Sequence, residues 1–286
     1  MKEIVIISGK GGTGKTSFAG SFAALANNAV FADCDVDAAN LSLLMHPERE
    51  ETNEFKASKE AFINQEHCVR CGLCQELCRF GAVTDDFQVD SLSCEGCGVC
   101  YHACPEGAIT FEDVVSGEWF ISATPFGPLV HARLGIAEEN SGKLVTLIRN
   151  KAKELAEVQG KSLIISDGPP GIGCPVIASL GGASAALVVT EPTLSAVHDM
   201  KRVLEVCRHF QVPALVCINR FDLHEKNSQE IESFCAEKGV PLVGKVPFDR
   251  VVTEAMTKGL PLVEFSKGET AKRMCEVWEQ VAERVG

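Results

Sequence analysis

Two groups of residues in this chain have the types and spacing to do chemistry. The first is residues 9–16, GKGGTGKT, which satisfy G-x-x-x-x-G-K-[ST]. Glycines at these spacings let backbone N–H groups wrap phosphates without Cβ clashes, and a following helix adds the positive end of its dipole. Lys15 is placed to reach β- and γ-phosphates, and Thr16 to ligate Mg²⁺. Gly9, Lys10, Gly11, Gly12, Thr13, Gly14 and Ser17 complete the expected nucleotide cradle. The second group is a repeated cysteine run. Cys68-x-x-Cys71-x-x-Cys74-x-x-x-Cys78 recurs as Cys94-x-x-Cys97-x-x-Cys100-x-x-x-Cys104-Pro105. Three closely spaced thiolates suit one corner of an iron–sulfur cubane, and the fourth points away to a second cluster. Cluster one is therefore expected on Cys68, Cys71, Cys74 and Cys104, and cluster two on Cys94, Cys97, Cys100 and Cys78. Structural zinc uses pairs of C-x₂₋₄-C with four ligands per ion, which two unbroken four-cysteine runs do not resemble. Cys78 is followed by Arg79, not proline, a departure that leaves the assignment standing. His67 and His102 flank the runs and are read as packing or solvent-facing residues.

These residues need elements to hold them. Residues 2–8 (KEIVIIS) form a β-branched run read as a buried strand, and residues 17–26 carry helical apolar spacing. A second strand over 29–32 ends in acidic residues. Further strands are expected over 119–123, 162–166, 185–189, 214–218 and 242–246. A helix over 141–158 is expected to have Ser141 as its N-cap. Strands alternating with helices imply an α/β fold, a mostly parallel sheet covered on both faces. Residues 48–60 are polar and charged, and are read as a linker or exposed helix. The cysteine block interrupts the alternation. It is therefore expected to be a small α+β insertion, residues 59–114, between two parts of one large domain, 1–58 and 115–286.

Composition narrows the function. At 45% apolar and 23% charged, the 286 residues are those of an ordinary globular protein. A net charge of -12 argues against a nucleic-acid surface. The longest apolar runs are too short to span a bilayer, and the N-terminal run leads straight into the Gly/Lys loop without a signal-peptide pattern. A cytoplasmic location is expected, where fourteen cysteines suggest metal, not disulfides. Of the six cysteines outside the runs, Cys34, Cys207, Cys217, Cys235 and Cys275 read as small buried hydrophobes. Cys174, in Gly173-Cys174-Pro175, is set apart: it is either packed beside a tight turn or a reporter of loop movement.

Lys10 narrows the phosphate motif. K-G-G-x-G-K-[ST] resembles the deviant Walker A loop of Min/Par ATPases, nitrogenase iron proteins and iron–sulfur carrier ATPases. Asp33-Cys34-Asp35 resembles that family's switch I motif, and residues 167–171 (DGPPG) its Walker B/switch II motif. Asn219-Arg220 and Pro247-Phe248-Asp249 resemble its adenine-side loops. The resemblance implies that Lys10 reaches a partner's nucleotide across a dimer and that Asp35 orients the attacking water. It also implies that Asp33 and Asp167 hold the Mg²⁺ shell, that the Gly171 amide senses the γ-phosphate, and that Asn219, Arg220, Pro247, Phe248 and Asp249 hold the base. Asp37 is read as a turn residue. Nitrogenase iron proteins carry a cluster cysteine at the offset of Cys174, but residues 119–127 lack the second ligand, so a bridging cluster is not expected.

With the cysteine runs included, the chain is similar to Min-superfamily P-loop ATPases containing an inserted two-cluster ferredoxin domain. That implies ATP hydrolysis, ATP, Mg²⁺ and two [4Fe–4S] clusters as cofactors, and an ATP-dependent homodimer or heterodimer with a paralogue. ATP-gated electron transfer to a partner protein is the expected purpose. The alternatives are cluster assembly or carriage, and Min/Par-type spatial organisation. Carriers place a C-x-x-C pair in the nucleotide domain, and none follows Cys104 here. Spatial organisers often carry a basic amphipathic C-terminal helix. Here Ala271, Met274, Cys275, Trp278, Val281 and Val285 form a stripe opposite mixed charges, which reads as core packing and not a membrane anchor.

Overall fold

In β1 (Lys2–Ser8), Ile4 and Ile6 pack on one face of a sheet while Val5 and Ile7 pack on the other, all fully buried. A strand apolar on both faces suits the middle of a parallel sheet sandwiched between helices. The computed structural model describes residues 1–135 and 141–286. After β1 come α1 (Lys15–Leu25), β2 (Ala29–Asp33), α2 (Leu41–Met45), β3 (Glu48–Ile63), α3 (Leu73–Leu77), α4 (Val99–Ala103), β4 (Ile109–Ala123) and β5 (Leu129–Leu134). The chain continues through α5 (Ser141–Val158), β6 (Leu163–Pro170), α6 (Cys174–Leu180), β7 (Ala185–Thr190), α7 (Leu194–His209), β8 (Ala214–Asn219), α8 (Glu225–Lys238) and β9 (Leu242–Val246). It ends with α9 (Arg250–Thr257), α10 (Leu262–Phe265) and α11 (Glu269–Val285).

The strand order is β3-β4-β5-β2-β6-β1-β7-β8-β9. From β5 to β9 every neighbouring pair is parallel. One core layer joins Ile4, Ile6, Phe31, Ile165 and Leu187 to α1 and α11. The other joins Val5, Ile7, Val188 and Val216 to α6, α7 and α8. Helix α11 buries Ala271, Met274, Val277, Val281 and Val285, and its Trp278 ring lies 5.0 Å from Phe22. The apolar stripe is thus core, as its spacing predicts. Among the described residues, no helix is long and apolar enough to cross a membrane. Cys34, Cys207, Cys217 and Cys235 are buried and Cys275 is half-buried, whereas Cys174 is exposed. Burial pushes the Cys207 thiol up to about 12 and the Cys235 thiol to about 11, the behaviour of inert packed cysteines.

Two compact units divide the chain. One comprises residues 1–53, 119–133 and 141–286. The other comprises Glu54–Glu118 and the stretch beginning at Leu134. The boundaries expected from sequence, 59 and 114, fall inside the second unit. The reading of residues 48–60 as linker or helix is corrected: they lie in β3. Glu- and Lys-rich segments favour helix in isolation, but a strand partner overrides that preference. Here the partner is β4, with Ala57 and Ser58 N–H donating to Ser116 Oγ at 3.4 and 3.0 Å. Ser141 is the first residue of α5, and the residue before it lies outside the described residues. Strand β5 escaped the sequence reading, because LVHARL is short and carries two basic residues.

The second unit repeats itself. Each of α3 and α4 follows a glycine in the left-handed region, Gly72 (φ 84°) and Gly98 (φ 73°). Each is C-capped by the last cysteine of its run, Cys78 and Cys104. The matching amides of Ala82 and Ala108 each donate to that cysteine's Sγ at 3.4 Å.

Candidate functional site

Parallel pairing brings the acidic residues together. The register of β2 on β6 sets Asp33 beside Asp167, and that of β1 on β6 sets Ile6 beside Asp167. Both carboxylates are therefore buried at the carboxyl ends of adjacent central strands, where open α/β sheets bind ligands. Asp33 is partly satisfied: its oxygens accept from the Leu41 N–H at 3.1 Å and the Asp35 N–H at 3.3 Å. Neither oxygen of Asp167 has a hydrogen-bond partner. Burial pushes Asp167 up to about 7, against the pull of the Thr16 hydroxyl and Lys15. Burial and the Asp167 charge also raise Asp33 well above the usual carboxylate range. Two adjacent buried carboxylates, one of them orphaned, beside a threonine hydroxyl form an all-oxygen donor set that suits Mg²⁺.

Asp35, whose N–H donates to Asp33, and Thr16, beside Asp167, line an open cavity of about 1380 Å³ including its mouth. Asp33 and Asp167 themselves lie behind its lining. Gly11, Gly12, Gly14, Lys15, Thr16 and Ser17 line one wall. Asp35 and Asp37 line another. Asn219, Arg220, Pro247, Phe248 and Asp249 line the far end. Gly14 caps α1 with φ 98°, and a Cβ there would meet Asn219 Nδ2 at 2.6 Å, so the turn needs glycine. Asn219 Nδ2 in turn donates to the Thr13 carbonyl at 2.8 Å, tying the base end to the phosphate loop. Lys15 Nζ lies 3.9 Å from Asp35 Oδ2, and burial raises Asp35 while Lys15 lowers it. Asp37 occupies a turn, as expected, yet also faces the cavity. Asp249 caps α9 through the Val251 N–H and accepts from Thr270 Oγ1 at 2.8 Å, which anchors the far wall.

Other expected residues lie elsewhere. Gly9 is outside the cavity, packed so closely on Asp199 that a Cβ would lie 2.5 Å from its backbone carbon. Thr13 turns inward, its hydroxyl buried without a partner. The Gly171 amide donates to the Ser8 carbonyl at 2.8 Å, so it does not face the cavity. A contact from it to a γ-phosphate requires that bond to break first. Lys10 also turns away, pairing with Glu191 at 2.8 Å. Sequence reasoning gives no site role to Glu191, Pro175, Val252 or Met256, although residues 168–175 (GPPGIGCP) and 190–193 (TEPT) already resemble the family.

The cysteines gather as two sets of four. Cys68, Cys71, Cys74 and Cys104 line a shallow hollow walled by Ile63, Leu73 and Ile109. Cys78, Cys94, Cys97 and Cys100 line another, walled by Ala61, Phe80 and Phe111. The last cysteine of each run thus sits with the other run. Burial raises Cys74, with Cys68 and Cys71 adding to the effect. It also raises Cys100, with Cys94 and Cys97 adding. Among the described residues no three His, Cys, Asp or Glu side chains converge tightly enough to hold one metal ion. Four thiols spread around a cavity suit a polynuclear cluster better than a single zinc.

Residues 4–262 match the model of the CobQ/CobB/MinD/ParA nucleotide binding domain. The chain belongs to that family. Its fold and P-loop are those of a MinD/ParA-type nucleotide-binding ATPase. An uncharacterised protein of Methanocaldococcus jannaschii is 34% identical over 284 residues, 98% of this chain and 96% of that protein. An iron-sulfur cluster carrier protein of Pyrococcus furiosus is 26% identical over 136 residues, 43% of this chain and 45% of its own. The septum site-determining protein MinD of Pyrococcus horikoshii, solved with Mg-ADP, superposes with a TM-score of 0.60 at 18% identity, covering 100% of this chain and 97% of that one.

Proposed function

We propose that this chain hydrolyses ATP as a dimer and couples its nucleotide state to electron transfer through two [4Fe–4S] clusters held by the cysteine unit. One observation carries the redox half: each cavity is lined by four cysteines, three from one run and the last from the other. Four thiolates per site in apolar walls favour retention of a cluster over its delivery. The N–H donors at Cys78 and Cys104 Sγ stabilise thiolate charge.

The ATPase half rests on the cavity. The loop N–H groups and Lys15 bind and orient the phosphates, with Lys15 the buried cation among them. Thr16, Asp33 and Asp167 are the residues to hold Mg²⁺, which when bound offsets the charge of the phosphates. Asp35 orients the attacking water, its carboxylate already held near Lys15. Asn219, Arg220, Pro247, Phe248 and Asp249 enclose the base. Lys10 completes a partner subunit's site once it is freed from its own chain.

The test is anaerobic purification followed by iron and sulfide analysis, expected at about eight of each per chain. The rate of cluster reduction by dithionite is then compared with ATP and with ADP. Stoichiometric zinc in place of iron sinks the cluster reading, and equal reduction rates sink the coupling. Cluster carriage is the second reading, favoured by the likeness to the Pyrococcus carrier protein. Transfer of iron and sulfide to an apo-acceptor would select it.

A further inference from the structure

Lys10 stands apart in the phosphate loop. Its ammonium lies 2.8 Å from Glu191 Oε1 and donates to Thr193 Oγ1 at 3.2 Å and Ser195 Oγ at 3.4 Å. The other Glu191 oxygen accepts from Arg220 Nη1 at 3.0 Å. The Glu191 side chain is 10% exposed and that of Lys10 31%. A carboxylate this buried needs a counter-ion, and removing its only partner is strongly unfavourable. Glu191 has two partners, so one can leave without stranding the charge. Arg220 is the partner that belongs to the nucleotide cavity. It lines the cavity, and its backbone N–H donates to Asn219 Oδ1 at 3.0 Å, while its side chain is 36% exposed. Lys10 sits on the glycine loop at the solvent edge.

We infer that Glu191 is a positioning residue for Lys10, a latch that holds the lysine on its own chain until a partner subunit's nucleotide draws it away. Arg220 remains as counter-ion when Lys10 leaves. Because Arg220 and Asn219 stand at the base end of the cavity, the same contact ties occupancy there to release of the lysine. The inference rests on the cross-dimer role proposed for Lys10. Releasing an ion pair whose lysine side is open to solvent changes an equilibrium about two- to fivefold, so the latch is strong enough to bias assembly and weak enough to open.

The test begins with trace acetylation and peptide mapping of the nucleotide-free monomer. In Glu191→Gln, Lys10 is expected to label about two- to fivefold faster while the other lysines are unchanged. Unchanged Lys10 labelling overturns the latch, whatever the dimer does. Ser195→Ala, which removes only the weakest contact, is expected to give a smaller rise, and it serves if Glu191→Gln misfolds. Dimerisation with ATP, followed by sedimentation, is expected at lower protein concentration in Glu191→Gln by the same factor. It is expected to be no tighter in Lys10→Ala/Glu191→Gln than in Lys10→Ala alone. Faster labelling with a weaker ATP dimer also overturns the inference, because Glu191 then delivers the lysine and does not restrain it. Wild-type dimerisation by Lys10→Ala would instead overturn the cross-dimer reading, leaving the labelling result to judge the contact.

Discussion

The nucleotide cavity and the cysteine cavities are built by opposite means. The nucleotide cavity draws its walls from the ends of β1, β2, β6, β8 and β9, spread over more than two hundred residues. Strand register alone sets Asp33 beside Asp167. The cysteine cavities draw all eight thiols from one stretch of chain, through two short helices with matching glycines and caps. The first site is therefore only as good as the sheet, and damage far away can misalign it. The second depends on local spacing, and its one non-local feature is the exchange of last cysteines between runs.

The largest effect that tests this contrast is expected at Lys15. Lys15→Ala removes the buried cation of the cavity and should lower ATP turnover on the order of 10³-fold or more. Iron content should not change, and a variant that also loses iron would show the two sites to be one. Asp35→Ala should slow hydrolysis about 10²-fold while MgATP still binds, since a positioning group is lost and the phosphate grip is not. Unaltered turnover removes Asp35 from the mechanism.

The exchange of cysteines sets the next effect. Cys78→Ser should cost the site formed with Cys94, Cys97 and Cys100, leaving about four iron per chain in anaerobic protein. Cys104→Ser should cost the other. Spectroscopic loss of the cluster on a residue's own run, in either variant, breaks the crossed arrangement.

A smaller effect comes from Asp167. Its carboxyl is raised from an ordinary value to about 7 in the folded chain, so folding favours the protonated form. Metal-free protein should then be most stable below about pH 4 as far as this group is concerned. That stability should be lost as pH rises through about 7. Thermal melts between pH 5 and 8 should slope downward, less so in Asp167→Asn and less so with Mg²⁺. An equal slope in all three samples removes Asp167 from the metal site. The smallest expected effect is at Cys174, exposed at the start of α6 a few residues beyond Asp167. Its alkylation rate should differ between ADP- and ATP-bound protein, and equal rates would assign it no part in switch movement.

Much of this was legible in the sequence because the relevant chemistry is local there. GKGGTGKT names a phosphate loop within eight residues, and spacing alone sorts the two cysteine runs into the two sets of four that line the cavities. The alternation of buried strands over residues 2–8, 185–189 and 214–218 foretold a parallel sheet, because apolar side chains on both faces leave few other folds. Single-chain patterns do not report what pairs with what. Residues 48–60 look helical until β4 lies beside them, and β5 becomes a strand because β2 accepts it. Tertiary structure alone orphaned Asp167, bonded the Gly171 amide to Ser8 and folded Lys10 onto Glu191, a residue 181 positions away. Each of these depends on through-space geometry between strand ends, which hydrophobic period and motif spacing do not encode.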